Sequence, residues 1–122
     1  MTAILLALPV LLTAQVPVLP EIDALEIVAV VDNYFDGLQK DKACAQRVHL
    51  AKVNFNGIRL QAEHGLAYYI EASTGGKKHK ILLDFSLSSS VYQHNLEKLN
   101  LNIRDAEALI LTHGHQDHYD GV

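Results

Sequence analysis

An apolar run that stops on a histidine cluster constrains this chain more than any other feature. Ala106 to Thr112 (AEALILT) reads as a strand, and His113-Gly114-His115-Gln116-Asp117-His118 follows it directly, four potential metal ligands within six residues. Nothing else in the chain is comparably dense. Residues two apart in extended chain project to the same side, so His113 and His115 can grip one ion together. Asp117 and His118 are adjacent and must diverge, which suits a turn into a helix and directs them at a second ion beside the first. Gly114 leaves room for close approach of a metal. Imidazole and carboxylate without thiolate suit zinc, iron or manganese. Paired ions can lower the pKa of a water from about 15.7 towards roughly 7, so hydrolysis or a related displacement is the implied chemistry. A surface cluster that binds metal adventitiously is the bland alternative. The position of the cluster at a strand end, rather than in a polar tail, counts against it.

The rest of the chain is sized for one domain. It has 122 residues, 49% of them apolar, with 14 acidic and 10 basic side chains and a formal net charge of −4. That composition belongs to a packed globular protein and argues against a disordered chain or one that coats nucleic acid. The charges are unevenly placed, because residues 1–20 carry none and hold all three prolines, Pro9, Pro17 and Pro20. A boundary near Pro20 divides an apolar leader, residues 1–20, from a body, residues 21–122. The leader has an apolar run, Ala3 to Leu12, of signal-peptide length and Ala14 as a small residue for cleavage, but no Lys or Arg precedes the run. Its prolines interrupt a stretch already short for a membrane span. It is an export signal or membrane-associated tail, or else an apolar segment that packs on the domain or stays disordered. The expected location is the cytoplasm, with export or membrane association through residues 1–20 as the alternative. Cys44 is the sole cysteine, which excludes an intrachain disulfide, and it reads as a small buried apolar residue.

Within the body, Glu26 to Asp32 (EIVAVVD) reads as a buried strand closing on a turn. Asn33 to Ala45 reads as a loop with a short helix, and Val48 to Leu60 as irregular strand or loop. Leu66 to Ala72 and Lys80 to Asp84 form a hairpin around Ser73 to His79, whose paired glycines can take positive φ. Ser90 to Leu99 has helical spacing, with Ser88 to Ser90 as N-caps and Asn100 as a left-handed C-cap. Strands, helix, strand and polar loop in that order make an α/β or α+β layering.

The histidine cluster resembles the H-x-H-x-D-H signature of the metallo-β-lactamase fold, and Asp84 at the end of KILLD resembles the strand-end aspartate that precedes it there. Val31-Asp32-Asn33, Ala62-Glu63-His64-Gly65-Leu66 and His94-Asn95-Leu96-Glu97-Lys98-Leu99 are similar to a branch named for a dihydropterin synthase of methanopterin biosynthesis. The resemblance covers about Glu26 to Val122. It implies an αββα sandwich, of which this chain would be the N-terminal half, with a mixed β-sheet and helices on one face. It also implies two divalent metal ions, zinc first and iron or manganese as alternatives. His113 and His115 would bind one ion, and Asp117 and His118 the other. Asp117 is the candidate catalytic residue, and Asp84 would orient the metal loop from behind. Glu63-His64 and Asp32-Asn33 lie near the pocket or simply cap strands, whereas His49, His79 and His94 are expected at the surface or on the helix. The sequence departs from the family pattern twice. Asp84-Phe85-Ser86 stands where Asp-Thr-Gly is usual, and Asp120-Gly121 where Gly-Gly is usual.

Family members supply a further histidine to each metal and a bridging aspartate from later strands, so this chain is expected to carry half a site. It is also expected to leave a strand edge and an apolar sheet face uncovered, and to self-associate through them. The expected function is a metallohydrolase acting on a small-molecule substrate: a phosphoester, a lactone, a thioester or a pterin precursor. Nucleic acid and membrane are disfavoured partners. The alternative is a truncated, non-catalytic metal-binding fragment or interaction module.

Overall fold

The computed structural model describes residues 20–34, 40–47 and 59–122. The leader Met1–Leu19, the short helix expected after Asn33, nearly all of the Val48–Leu60 segment, and His49 lie outside the described residues. The described elements run β1 (Ala24–Val31), β2 (Ala67–Thr74), β3 (Lys77–Leu83), α1 (Ser89–Lys98), β4 (Ala108–Ile110) and α2 (Gln116–Tyr119). The strands form one mixed sheet in the order β1-β2-β3-β4. The first three are antiparallel, and β4 joins β3 in parallel after the α1 crossover. This is the mixed α/β sheet expected from the sequence.

The β2–β3 hairpin turns on Gly75 and Gly76 alone, with φ of 56° and 78°. Positive φ at both central residues matches the right-handed twist of the strands, so pairing continues to Thr74↔Lys77. The polar residues Ser73 and Lys77 to His79, expected in the turn, are therefore strand residues. Helix α1 starts where its cap dictates: the Ser88 hydroxyl accepts from the Val91 amide. It ends on Asn100 in the left-handed region at φ 55°. The Asn100 and Leu101 amides donate back to the carbonyls of Glu97 and Leu96, which satisfies the last turn.

Registered partners share a sheet face. The row Val28↔Tyr69↔Leu82 faces α1. With Val30, Val31, Ala67, Phe85, Tyr92 and Leu96, Tyr69 and Leu82 form the buried core. The ring of Tyr92 meets Phe85 edge-on at 6.5 Å. Burial of two consecutive valines comes from a break in register between Ala29 and Val31, which leaves Val30 out of the ladder. Its orphaned carbonyl is taken by α1: Asn95, 1% exposed, donates through Nδ2 to Val30 O at 2.7 Å and to Gln61 O at 2.8 Å. Asn95 Oδ1 accepts from the Gln61 amide at 2.9 Å.

The opposite face carries the rows Ile27↔Ile70↔Ile81↔Ala108 and Ala29↔Tyr68↔Leu83↔Ile110. No described helix packs on it, and Leu25 and Ile27 are more than half exposed. β1 is therefore buried only at its C-terminal end, which corrects its expected burial throughout. β4 is likewise shorter than the expected Ala106–Thr112 strand, and it is not buried: Leu109 is 66% exposed, because β4 is an edge with no described strand beyond it. Polar contacts dock its leading loop. Lys80 Nζ donates to both carboxylate oxygens of Asp105 at 2.7–2.8 Å, and His79 Nδ1 lies 2.8 Å from Glu107. Cys44 is exposed rather than buried. It stands in a tight turn closed by mutual backbone bonds of Lys42 and Ala45.

Asn95→Leu keeps the volume but strands the Val30 carbonyl and both Gln61 groups. The Val30 carbonyl is the buried one, and a buried unsatisfied group costs about 1–3 kcal/mol, so urea unfolding should show a loss of about 1–3 kcal/mol. Wild-type stability in that variant would refute the role given to Asn95.

Candidate metal centre

The centre forms where β3, β4 and α2 meet. Asp84 follows β3 directly and is fully buried, in the left-handed region at φ 55°. Its amide donates to Ile110 O at 2.9 Å, which locks the exit of β3 to β4. Its carboxylate then reaches across the cluster. Oδ1 accepts from the Thr112 amide at 2.8 Å, and Oδ2 accepts from the Thr112 hydroxyl and from His118 Nδ1, each at 2.7 Å. Burial pushes the carboxyl up, but these donors outweigh it and hold Asp84 below its usual range.

The Thr112–Tyr119 segment brings all four cluster residues together. His113 Nδ1 lies 3.0 Å from the Thr112 hydroxyl, and His113 Nε2 lies 3.0 Å from His115 Nδ1. The His118 ring lies 4.1 Å from the His113 ring, tilted by 55°. With Nδ1 of His118 committed to Asp84, its Nε2 stands 3.5 Å from Asp117 Oδ2. Two donors on one tetrahedral zinc, with metal–ligand bonds near 2.0–2.1 Å, lie about 3.4 Å apart. The pairs His113/His115, at 3.0 Å, and Asp117/His118, at 3.5 Å, therefore stand near ligand–ligand spacing, so that either pair could offer two donors to a divalent ion. Among the described residues no group of three His, Cys, Asp or Glu side chains converges to hold an ion. His79 and His94 are engaged elsewhere, with Glu107 and with Arg59 O.

A second layer supports the cluster from the β1–β2 connection. The Glu63 carboxylate accepts from the hydroxyls of Ser86 and Ser88 and from the Ser88 amide. Burial pushes Glu63 up, and the bonds from Ser86, Ser88 and Leu87 outweigh it, so its pKa is lowered. Gly65 donates to Asn33 Oδ1 at 2.9 Å, and Leu66 donates to Asp117 O at 3.3 Å. Gly65 sits at φ 134°, and a Cβ there would collide with the Asp117 carbonyl. The Asp32–Asn33 turn and the Glu63–Leu66 turn thus buttress the metal loop. The partners of Glu63, two serines more than twenty residues away, carried no signal in the sequence. The cavity of about 200 Å³ lined by Asp32, Tyr34, Arg47 and Gln61 includes none of the four cluster residues.

The family model of the metallo-beta-lactamase superfamily matches residues 60–122, just over half of the chain. The chain belongs to this superfamily. It is 34% identical over 61 residues, half of its length, to the 7,8-dihydropterin-6-methyl-4-(beta-D-ribofuranosyl)-aminobenzene-5'-phosphate synthase of Methanocaldococcus jannaschii. It is 31% identical over 74 residues, 60% of its length, to the exodeoxyribonuclease WalJ of Streptococcus pneumoniae. The matched segments span 21% and 26% of those two relatives. Metallo-beta-lactamase superfamily members typically bind divalent metals, and the superfamily fold is that of metal-dependent hydrolases.

Both departures from the superfamily pattern have a local account. Ser86, where glycine is usual, is buried at φ 69°. A left-handed non-glycine residue costs about 1–2 kcal/mol, which is offset by its amide bond to Leu66 O and its hydroxyl bond to Glu63. The Asp120 carboxylate accepts from Gln116 Nε2 at 2.6 Å. The glycine that follows it is required, because a Cβ at Gly121 would strike the Phe85 carbonyl.

Glu63 carries a testable pH dependence. Its folded pKa lies below the ordinary value of 4.5, so its contribution to stability is complete above pH 4.5 and is lost as pH falls further. Denaturation between pH 7 and pH 3 should show a shallower acid loss in Glu63→Gln than in wild type. Identical slopes would remove Glu63 from the account of acid stability.

Proposed function

We propose that this chain carries the histidine-loop half of a dinuclear metallohydrolase site. His113 and His115 would hold one divalent ion, and Asp117 and His118 the other, with Asp84 fixing His118 through Nδ1. The observation that carries this reading is the pair of converging donor sets, His113 Nε2 with His115 Nδ1 at 3.0 Å and Asp117 Oδ2 with His118 Nε2 at 3.5 Å. Zinc is the first choice, and iron or manganese suit the same ligands. When bound, the ions supply Lewis acidity, acidifying water from about 15.7 towards roughly 7 and polarising a carbonyl or phosphoryl oxygen.

The residues of the chain do the positioning. Asp84 leaves Nε2 of His118 free to act as a donor and fixes the ring's orientation. Thr112 holds His113 in the same way from its hydroxyl. Asp117, half-buried at the start of α2, would supply the carboxylate that takes up a proton at the centre. The proposed substrate is a small molecule bearing a phosphoester, lactone or thioester, or a pterin precursor of the kind named in the methanogen relative. The net charge of −4 disfavours a long polyanion. No described helix is long and apolar enough to cross a membrane. The open β4 edge is a route to self-association.

Metal analysis of the full-length protein tests this directly. Wild type should hold two ions per chain, and His115→Ala and Asp117→Ala should each lose one together with at least a hundredfold of hydrolytic turnover, on the order of the loss expected when an essential group is removed. Unchanged metal content and turnover in both variants would overturn the proposal. Sub-stoichiometric metal with no turnover in wild type would instead favour a non-catalytic metal-binding fragment, a reading prompted by the two side chains per ion that the described residues supply.

A further inference from the structure

One side chain beyond the histidine loop reaches the centre. His64 Nε2 stands 3.3 Å from Asp117 Oδ2, the same oxygen that faces His118 Nε2. The His64 side chain is 75% exposed, so the contact adds little to folding, as is usual for ion pairs in water. The backbone beneath it, by contrast, is held from every side. Glu63 is fixed by Ser86 and Ser88, Gly65 by Asn33, and Leu66 by Asp117 O through its amide and by the Ser86 amide through its carbonyl. Gly65 adopts a conformation open to glycine, in contact with the very peptide that carries Asp117. The turn thus holds the His64 backbone in a fixed place beside Asp117 while the imidazole itself stays exposed.

We propose that His64 is a positioning residue of the metal centre. With its proton on Nε2 it holds Oδ2 of Asp117, restricting rotation of that carboxylate and presetting it for the ion it would share with His118. This rests on the metal-centre reading above and adds to it a residue from the β1–β2 connection. Groups that orient metal ligands in this way typically contribute about ten- to hundredfold to metal affinity.

Cobalt(II) titration of the metal-free full-length protein tests the proposal, read by visible d–d absorption and by competition with a chromophoric chelator. His64→Ala should weaken by about tenfold or more the binding step that Asp117→Ala abolishes, shift its absorption bands, and spare the step that His115→Ala abolishes. His64→Gln, whose amide still donates, should recover part of the affinity, and His79→Ala should leave both steps at wild-type values. Wild-type affinity in His64→Ala would overturn the proposal. So would an equal loss on both steps, or a loss that His64→Gln does not relieve, since either reports general distortion. Wild type that takes up no cobalt would overturn the metal-centre reading itself.

Discussion

The buried carboxylate of Asp84 joins three segments that the sheet alone leaves separate: the exit of β3, the exit of β4 and the start of α2. A carboxylate removed from water without partners costs several kcal/mol at least, and Asp84 avoids that cost with three donors from Thr112 and His118. The same bonds set the orientation of His118, so one group both satisfies a buried charge and fixes an imidazole of the histidine cluster. The price is local backbone strain, since Asp84 and Ser86 are both left-handed without being glycine. Such strain persists only where surrounding contacts over-determine it. Here Ile110, His118, Leu66 and Glu63 all bond to the Asp84–Ser86 stretch.

Around that anchor the sheet serves as a platform. The parallel pair β3–β4 ends at the histidine loop, in keeping with the tendency of α/β sheets to place sites beyond the carboxyl ends of parallel strands. Helix α1 fixes one face through hydrophobic packing and through Asn95, which couples the irregularity in β1 to the helix and to Gln61. The other face remains apolar and open among the described residues. Two apolar rows run across all four strands there, Ile27–Ile70–Ile81–Ala108 and Ala29–Tyr68–Leu83–Ile110. Membership of the metallo-beta-lactamase superfamily and the short span of the matched relatives accord with a partial αββα layer.

Local chemistry was legible before the fold was known. The glycine pair announced the hairpin, because positive φ at two successive residues is a local requirement. Ser88 and Asn100 announced the ends of α1 for the same reason. β4 is shorter than its apolar run, because apolar content alone does not set strand length. A strand continues only where a neighbour pairs with it, and β4 finds β3 for three residues. Burial was overestimated in β1, β4 and Cys44 alike, since hydrophobicity states a preference for burial and only a packed neighbour supplies it.

The sequence by itself determined the donor set and its spacing: two histidines on one side of an extended segment, then an aspartate and a histidine that diverge into a helix. The tertiary structure decided what stands behind them. That His118 rests on Asp84, that Glu63 binds the serines of the β3–α1 loop, and that His64 meets Asp117 are contacts between residues more than twenty positions apart. Strand register and the docking of the β1–β2 connection against α2 create those contacts, and neither is encoded in any local run of residues.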